Sequence, residues 1–262
     1  MRFFKNVARY LCLASASAWM TPALATDYLG DLDHHDIGRN ALWHVVHDLC
    51  RTSAKLGLSF PCLTVEQAKS GSSSGWATLQ VGPDHILTTP TEKVTGIESP
   101  TLFEAGFPNL WQVAWATRKD MAKVESGFVP RDRIAVVVNS MKGRSQDQLH
   151  IHTSCIRKDV ASTLSKNLGH LTTSWTRLKT PLHGINYQAR LLKASDLSGI
   201  DLFHDIPIAQ NGYTPQMGLQ TIIAIGATFS DGSEGFMILN DQAHGWDTAH
   251  GEALLDKDCS DL

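Results

Sequence analysis

The sequence lacks a large excess of charge of either sign. In 262 residues, 23 Lys and Arg oppose 26 Asp and Glu, for a net charge of −3. Because a dedicated nucleic-acid-binding protein needs a strongly basic surface, this balance argues against one. Cysteine is scarce, with 5 residues, and the sequence contains no Cys-x-x-Cys motif. A thioredoxin-type redox centre and a cysteine zinc knuckle are therefore not supported.

The rest of the composition is typical of a globular protein. Hydrophobic residues make up 42% and charged residues 19%, with 20 Gly and 10 Pro. These values exclude wholesale disorder, a collagen, a coiled coil and a polytopic membrane protein. The length predicts one large domain or two smaller halves, with enough chain to bury a substantial core without metals or disulfides.

One uncharged, apolar stretch lies near the N-terminus, from Tyr10 to Ala25, after three basic residues. It ends in Ala-Leu-Ala, the small-residue pattern that precedes a signal-peptidase site. We predict a signal peptide over residues 1–25. A retained signal anchor is the alternative, because the stretch is close to the shortest length that spans a bilayer. Both predict the cell envelope, in the periplasm or at the inner membrane.

Four cysteines remain outside that segment: Cys50, Cys62, Cys155 and Cys259. In an exported protein they predict two disulfides, for which three pairings exist. Closeness in sequence favours Cys50–Cys62. The remaining pair, Cys155–Cys259, would then tie the C-terminal tail to the middle of the fold. Four reduced, buried thiols are the alternative.

Hydrophobic periodicity predicts a chain of mixed α+β class. Helices are predicted over 36–50, over 100–124 in two pieces broken at Pro108, and over 159–169. Strands are predicted over 76–81, 85–89, 133–138 and 148–156, and near 186–192, 219–228 and 235–240. Because hairpins replace regular βαβ alternation, the pattern favours an antiparallel sheet.

The segment from Gln148 to Ile156 carries the most chemical information. On a strand, alternate side chains share a face, so His150 and His152 lie on one polar face about 6–7 Å apart. Surface histidines or a zinc-binding His-x-His pair are the alternatives. Around residues 139–156 the only carboxylate is Asp147, which the alternation puts on the opposite face. The sequence therefore predicts no metal.

These residues carry a resemblance to a known family. The run from Gln148 to His152, with Gly143 and Ser145 before it, resembles the His-φ-His-φ-His-φ-φ pattern of the histidine-triad (HIT) superfamily, where φ is apolar. It is most similar to one branch, the bacterial CDP-diacylglycerol pyrophosphatases. The further similar segments are Glu98–Pro100, Trp111–Met121, Asn139–Ser140, Gly143–Gln146 and Ser154–Arg157.

The resemblance implies a fold and an activity. The fold would be a HIT-like antiparallel sheet flanked by helices, with a catalytic region over 26–160 and a C-terminal α+β half over 161–262 packed on it. The activity would be hydrolysis of CDP-diacylglycerol to CMP and phosphatidate without a cofactor, in phospholipid metabolism. The partners implied are this lipid and the inner-membrane surface, with no nucleic acid and no obligate protein partner.

The resemblance also implies roles for three catalytic residues. His150 matches the nucleophile, which would form a nucleotidyl-histidine intermediate. His152 matches the histidine that hydrogen-bonds the phosphate, and Ser145 matches the serine on the leaving side of the scissile bridge.

Four further residues are implied in substrate binding. Asn139 matches an asparagine that binds phosphate oxygens, and His85 is similar to an upstream histidine of the family. Gln148 replaces the first triad histidine; it can donate a hydrogen bond but cannot carry a proton or a positive charge. Arg144 is either a phosphate clamp or a solvated loop charge.

Two other functions compete with this interpretation. One is a HIT-like hydrolase or nucleotidyl transferase acting on soluble nucleotide conjugates. The other is a non-catalytic nucleotide- or lipid-binding protein, which the replacement at Gln148 favours and the intact His150 disfavours. Four aromatic residues either line an apolar groove for acyl chains or pack in the core: Phe103, Phe107, Trp111 and Trp115.

Overall fold

The computed structural model describes residues 34–262 except 128 and 210. The predicted signal segment, 1–25, lies outside these residues. In the part of the chain that is described, no helix is long and apolar enough to cross a membrane.

The helices are mostly short. The α-helices are α1 (His34–His44), α2 (Arg51–Lys55), α3 (Leu110–Ala116), α4 (Ala122–Glu125), α5 (Lys158–Leu168) and α6 (Leu202–Asp205). A π-helical segment, Val45–Cys50, joins α1 to α2. The 3-10 turns are Pro100–Phe103, Thr117–Asp120, Arg131–Arg133, Pro207–Ala209, Pro215–Leu219 and Gly251–Leu254.

The strands form one antiparallel sheet. They are β1 (Thr64–Glu66), β2 (Trp76–Gly82), β3 (His85–Pro90), β4 (Ile134–Val138), β5 (Ile151–Ile156), β6 (Thr176–Arg177), β7 (Gln188–Leu192), β8 (Gln220–Thr228), β9 (Glu234–Gln242) and β10 (Leu255–Asp256). Their order is β1-β2-β3-β5-β4-β8-β9-β7-β6. The short β10 pairs with the end of β5, beyond the residues that pair with β3. The predicted α+β class is therefore confirmed.

The sheet is continuous across the boundary that the sequence places at residue 160. Strand β4 pairs with β5 on one side and with β8, from the C-terminal half, on the other. The division into a catalytic region and a second half thus stays a prediction, and the two parts share their central hydrogen bonds.

Both faces of the sheet are covered, because alternate residues of its central strands point to opposite sides. Val136 of β4 lies in one apolar cluster with Trp111 and Trp115 of α3. Its neighbour Val137 lies in a second cluster with Leu164 of α5. Strand β5 is consequently buried along its whole length.

The region after Ser99 differs from the prediction of a helix beginning at Pro100. Only a 3-10 turn forms there, and the side chain of Ser99 makes no capping bond. The helix begins instead at Leu110, because the Asn109 carboxamide oxygen accepts bonds of 3.1 Å from the backbone N–H groups of residues 111 and 112.

Both predicted disulfides are present. Cys50–Cys62 joins the end of the π-helical segment to the loop before β1, with Cα atoms 5.6 Å apart. Cys155–Cys259 joins β5 to the C-terminal tail, with Cα atoms 5.2 Å apart. The second bridge draws the tail across the strand that carries the histidines.

Candidate active site

The histidine strand begins three residues later than predicted. Strand β5 starts at Ile151, because the residues before it bond to another segment: the backbone N–H of Leu149 donates to the Val94 carbonyl at 2.6 Å. From there the two faces separate as the alternation predicts. Thr153 Oγ1 donates to the Ala114 carbonyl of α3, whereas His152 faces the C-terminal segment.

The imidazole ring of His150 is held in place by a hydrogen bond from one of its two nitrogens. Its Nδ1 lies 2.7 Å from the Gln148 carbonyl oxygen. Because a carbonyl can only accept, the proton is on Nδ1 and the lone pair is on Nε2. Burial lowers the pKa of His150, although the bond to Gln148 opposes the shift. The ring is therefore neutral near pH 7, as a nucleophile must be.

His152 and His85 form a buried pair beside it. His152 Nδ1 lies 2.9 Å from His85 Nε2, and the rings stack with centroids 5.2 Å apart. His85 reaches this place because it begins β3, whose Leu87 pairs with His152. Burial lowers the pKa of His85 to about 4 and the pKa of His152 well below its ordinary value. Both rings are neutral near pH 7.

Glu252 completes the group, and the sequence analysis missed it. Its Oε2 lies 3.2 Å from His152 Nε2, without the alignment of a hydrogen bond, and Lys257 Nζ donates to its Oε1. Burial alone would raise the pKa of Glu252, but the electrostatic interaction with the nearby His152 ring, the hydrogen bonds from His250 and Lys257 and the charge of Lys257 outweigh it and lower the pKa far below its usual range. The carboxylate is therefore ionised.

A signal for Glu252 was present in the sequence. The predicted bridge Cys155–Cys259 already joined the tail to the histidine strand. An acidic residue seven positions before Cys259 could thus have been expected near His152.

Asn139 faces Glu252 with both ends of its amide. Its Nδ2 donates to Glu252 Oε2 at 2.9 Å, and its Oδ1 accepts from the Glu252 backbone N–H at 3.0 Å. The next residue, Ser140, donates from Oγ to the Thr248 carbonyl. Asn139 thereby fixes the carboxylate in position.

Gln148 uses its side chain to bind the end of β3 and the residues that follow it. Its Oε1 accepts from the Val94 N–H at 3.2 Å, and its Nε2 donates to the carbonyls of Pro90 at 2.9 Å and Glu92 at 3.0 Å. The side chain is fully buried. Gln148, which the resemblance aligns with the first triad histidine, therefore links the residues just before the histidine strand to residues 90–94.

The amino-acid sequence of this chain is similar to that of known proteins. The model of a family described as CDP-diacylglycerol pyrophosphatase matches residues 37–262. The chain belongs to the CDP-diacylglycerol pyrophosphatase family. A CDP-diacylglycerol pyrophosphatase of Yersinia pestis is 31% identical over 232 residues, which cover 85% of each chain. The family resemblance predicted from the sequence is thus confirmed.

In this family member, Arg144 is engaged by carboxylates. Its Nη1 lies 2.6 Å from Glu98 Oε2 and its Nη2 lies 3.0 Å from Asp147 Oδ1. Arg39 of α1 binds the same Asp147, and that bond above all lowers the pKa of Asp147 to about 2. Because its side chain is only 7% exposed, Arg144 is not a solvated loop charge: it fastens the loop, and its role as a phosphate clamp stays a prediction. Ser145 is exposed on that loop.

The aromatic residues considered for an acyl-chain groove belong to the core. Trp111 and Trp115 are fully buried, and Phe103 and Phe107 pack partly exposed against the same cluster. The two tryptophans therefore line no groove for a lipid.

One group of side chains in the site is able to hold a metal ion. His85, His152 and Glu252 each offer a ligand atom, and these atoms lie within 4.8 Å of one another. This group was not predicted from the sequence, because Glu252 lies far from the histidines along the chain. In the structure His85 already bonds to His152, and Glu252 bonds to Asn139 and Lys257.

Proposed function

We propose that this chain hydrolyses the pyrophosphate of CDP-diacylglycerol to CMP and phosphatidate, with His150 as the nucleophile, in phospholipid metabolism. Membership of the family supports the substrate. The observation that carries the mechanism is the bond from His150 Nδ1 to the Gln148 carbonyl, which leaves Nε2 unprotonated.

In the first step, His150 Nε2 attacks the phosphorus nearest the cytidine. The N–P bond forms as the bridging P–O bond breaks, and its electron pair leaves with phosphatidate. Because a phosphate monoester has a second pKa of about 6, the leaving group needs little protonation. The ring becomes positive as it forms the bond, and the Gln148 carbonyl stabilises the N–H on its other side.

In the second step, water attacks the same phosphorus and the P–N bond breaks. CMP leaves, with an oxygen from water on its phosphate, and His150 returns to its neutral form. No other group needs to be modified covalently.

Several groups around His150 are suited to stabilise charge on the phosphate oxygens. We retain His152 and Ser145 in the roles that the resemblance implies. To these we add Lys257, whose positive charge reaches His85, His150 and His152 and lowers the pKa of each. In this proposal Asn139, His85, Gln148 and Arg144 act by positioning these groups.

For localisation, we propose the cell envelope. Residues 1–25 would deliver the protein there, and disulfides such as Cys50–Cys62 and Cys155–Cys259 are typical of exported proteins. The inner-membrane surface would supply the lipid.

Product analysis of the wild-type protein and of His150→Ala tests this function. Given CDP-diacylglycerol beside ADP- and CDP-linked soluble compounds, the wild type should release CMP and phosphatidate with the highest kcat/KM. His150→Ala should lose at least about 10³-fold in turnover. Replacing the exposed His170 by Ala is the matched control and should change nothing. Near-normal turnover by folded His150→Ala contradicts the mechanism, and a preference for soluble conjugates supports the rival hydrolase.

A further inference from the structure

A second group of ligand side chains lies away from the histidines of β5, around a turn that follows β9. Asp241, His244 and Asp247 each offer a ligand atom within 4.8 Å of the others. The turn is closed by paired backbone bonds between His244 and Asp247, of 3.0 and 2.9 Å. Asp241 is fixed by the pairing of β9 with β8, opposite Thr221. The backbone that carries the three side chains is therefore held in place by hydrogen bonds.

The two carboxylates lack a compensating charge. In the described part of the chain, the ion pairs of lysine and arginine do not include Asp241 or Asp247. Asp241 Oδ2 is buried and has no hydrogen-bond partner. Two carboxylates without a cation between them are costly at neutral pH.

The histidine is oriented as metal ligands usually are. His244 Nδ1 lies 2.7 Å from the Gln242 carbonyl oxygen, so its proton is on Nδ1 and Nε2 carries the lone pair. A backbone carbonyl that accepts from the other ring nitrogen and so fixes the tautomer is the usual support of a metal-binding imidazole. The ring is exposed, which leaves room for water to complete a coordination shell.

We propose that Asp241, His244 and Asp247 bind a divalent transition-metal ion at a site separate from His150. One imidazole and two carboxylates form a donor set suited to Zn²⁺. Ligand atoms around tetrahedral Zn²⁺ lie about 3.3 Å apart, so small rotations bring these side chains onto one ion.

The ion would act on the segment that leads into the catalytic site. Just beyond the turn, the carbonyls of Thr248 and Ala249 accept bonds from Ser140, and Glu252 follows. Binding at the turn would fasten this segment without touching the reacting atoms. Its effect should therefore appear in stability, and turnover well below the melting temperature should not require it.

Thermal melting of the full chain with and without Zn²⁺ tests the proposal. With Zn²⁺ about 100-fold above its Kd, the Tm of the wild type should rise by roughly 5–10 °C, and EDTA should reverse the rise. Asp241→Asn and His244→Ala should abolish the shift. Calorimetric titration should give one Zn²⁺ per chain in the wild type and none in these variants.

Asp241→Asn supplies a second readout that a merely structural role would not give. Without metal it should be at least as stable as the wild type, because it removes the repulsion from Asp247, and with Zn²⁺ it should be less stable. His183→Ala is the matched control, since His183 also pairs with an exposed carboxylate, that of Asp159. A shift that persists in Asp241→Asn and His244→Ala, one lost only in Glu252→Gln, or no shift in the wild type overturns the proposal.

Discussion

His150 and His152 are separated by a single residue but hold their protons by different means. His150 donates to a backbone carbonyl, so one tautomer is fixed and Nε2 stays available. His152 lies between another imidazole and a carboxylate, at 2.9 Å from His85 and 3.2 Å from Glu252. The side chains of His85, His152 and Glu252 are therefore already in place to stabilise a positive charge that develops on His150.

Glu252 acts on this network as a positioning residue. Its negative charge raises the pKa of His150, against the effect of burial. Glu252→Gln keeps the shape but removes the charge, so kcat should fall by about 10²-fold and the acidic limb of the kcat/KM profile should move to lower pH. The pH dependence of kcat/KM checks this, with the exposed Glu104→Gln as control. If the rate falls while the limb stays in place, the role of Glu252 is structural only.

Among the secondary-structure elements, the local hydrophobic pattern predicted most strands but not the long-range contacts that set their ends. The hairpin β2–β3, the apolar strand β4 and the helix α5 were predicted because the hydrophobic periodicity of each segment is enough to specify its structure. The start of β5 did not, because Gln148 bonds to a segment more than 50 residues away. Glu252 was missed for the same reason: long-range pairing of β10 with β5 brings it to the site.

The two disulfides should differ in what their loss does. They close loops with sequence separations of 12 and 104 residues, for which chain entropy gives about 3 and 4.7 kcal/mol. Replacing Cys155 and Cys259 by Ser should cost more stability and, by loosening the tail that carries Glu252, about 10²-fold in rate. Replacing Cys50 and Cys62 by Ser should lower stability without changing the rate. Urea unfolding and initial rates check both, and full activity without Cys155–Cys259 contradicts the role of the tail.

For the whole molecule, burying neutral histidines in one continuous sheet makes stability depend on pH. The folded-state pKa of His85 is about 4 against 6.5 for an ordinary histidine. As pH falls below 6.5, the unfolded chain therefore binds protons that the folded chain does not, and stability is lost down to about pH 4.

The urea midpoint should consequently be lower at pH 4.5 than at pH 7. Over the whole interval between the two pKa values, His85 alone should lower the free energy of unfolding by about 3 kcal/mol. His85→Gln, which cannot titrate, should show a shallower fall. Equal slopes for the wild type and His85→Gln would mean that the pKa of His85 is the same in the folded and unfolded chain, which contradicts this account. Stability at pH 7 provides the common reference for both proteins.

In the proposed mechanism, His150 forms a covalent bond to the phosphorus nearest the cytidine. The most direct test is the stereochemical course at that phosphorus, made chiral with sulfur and hydrolysed in ¹⁸O-labelled water. Two in-line displacements each invert the configuration, so attack by His150 followed by attack by water predicts net retention in the CMP analogue. Net inversion would show a single direct attack by water and would contradict the covalent mechanism.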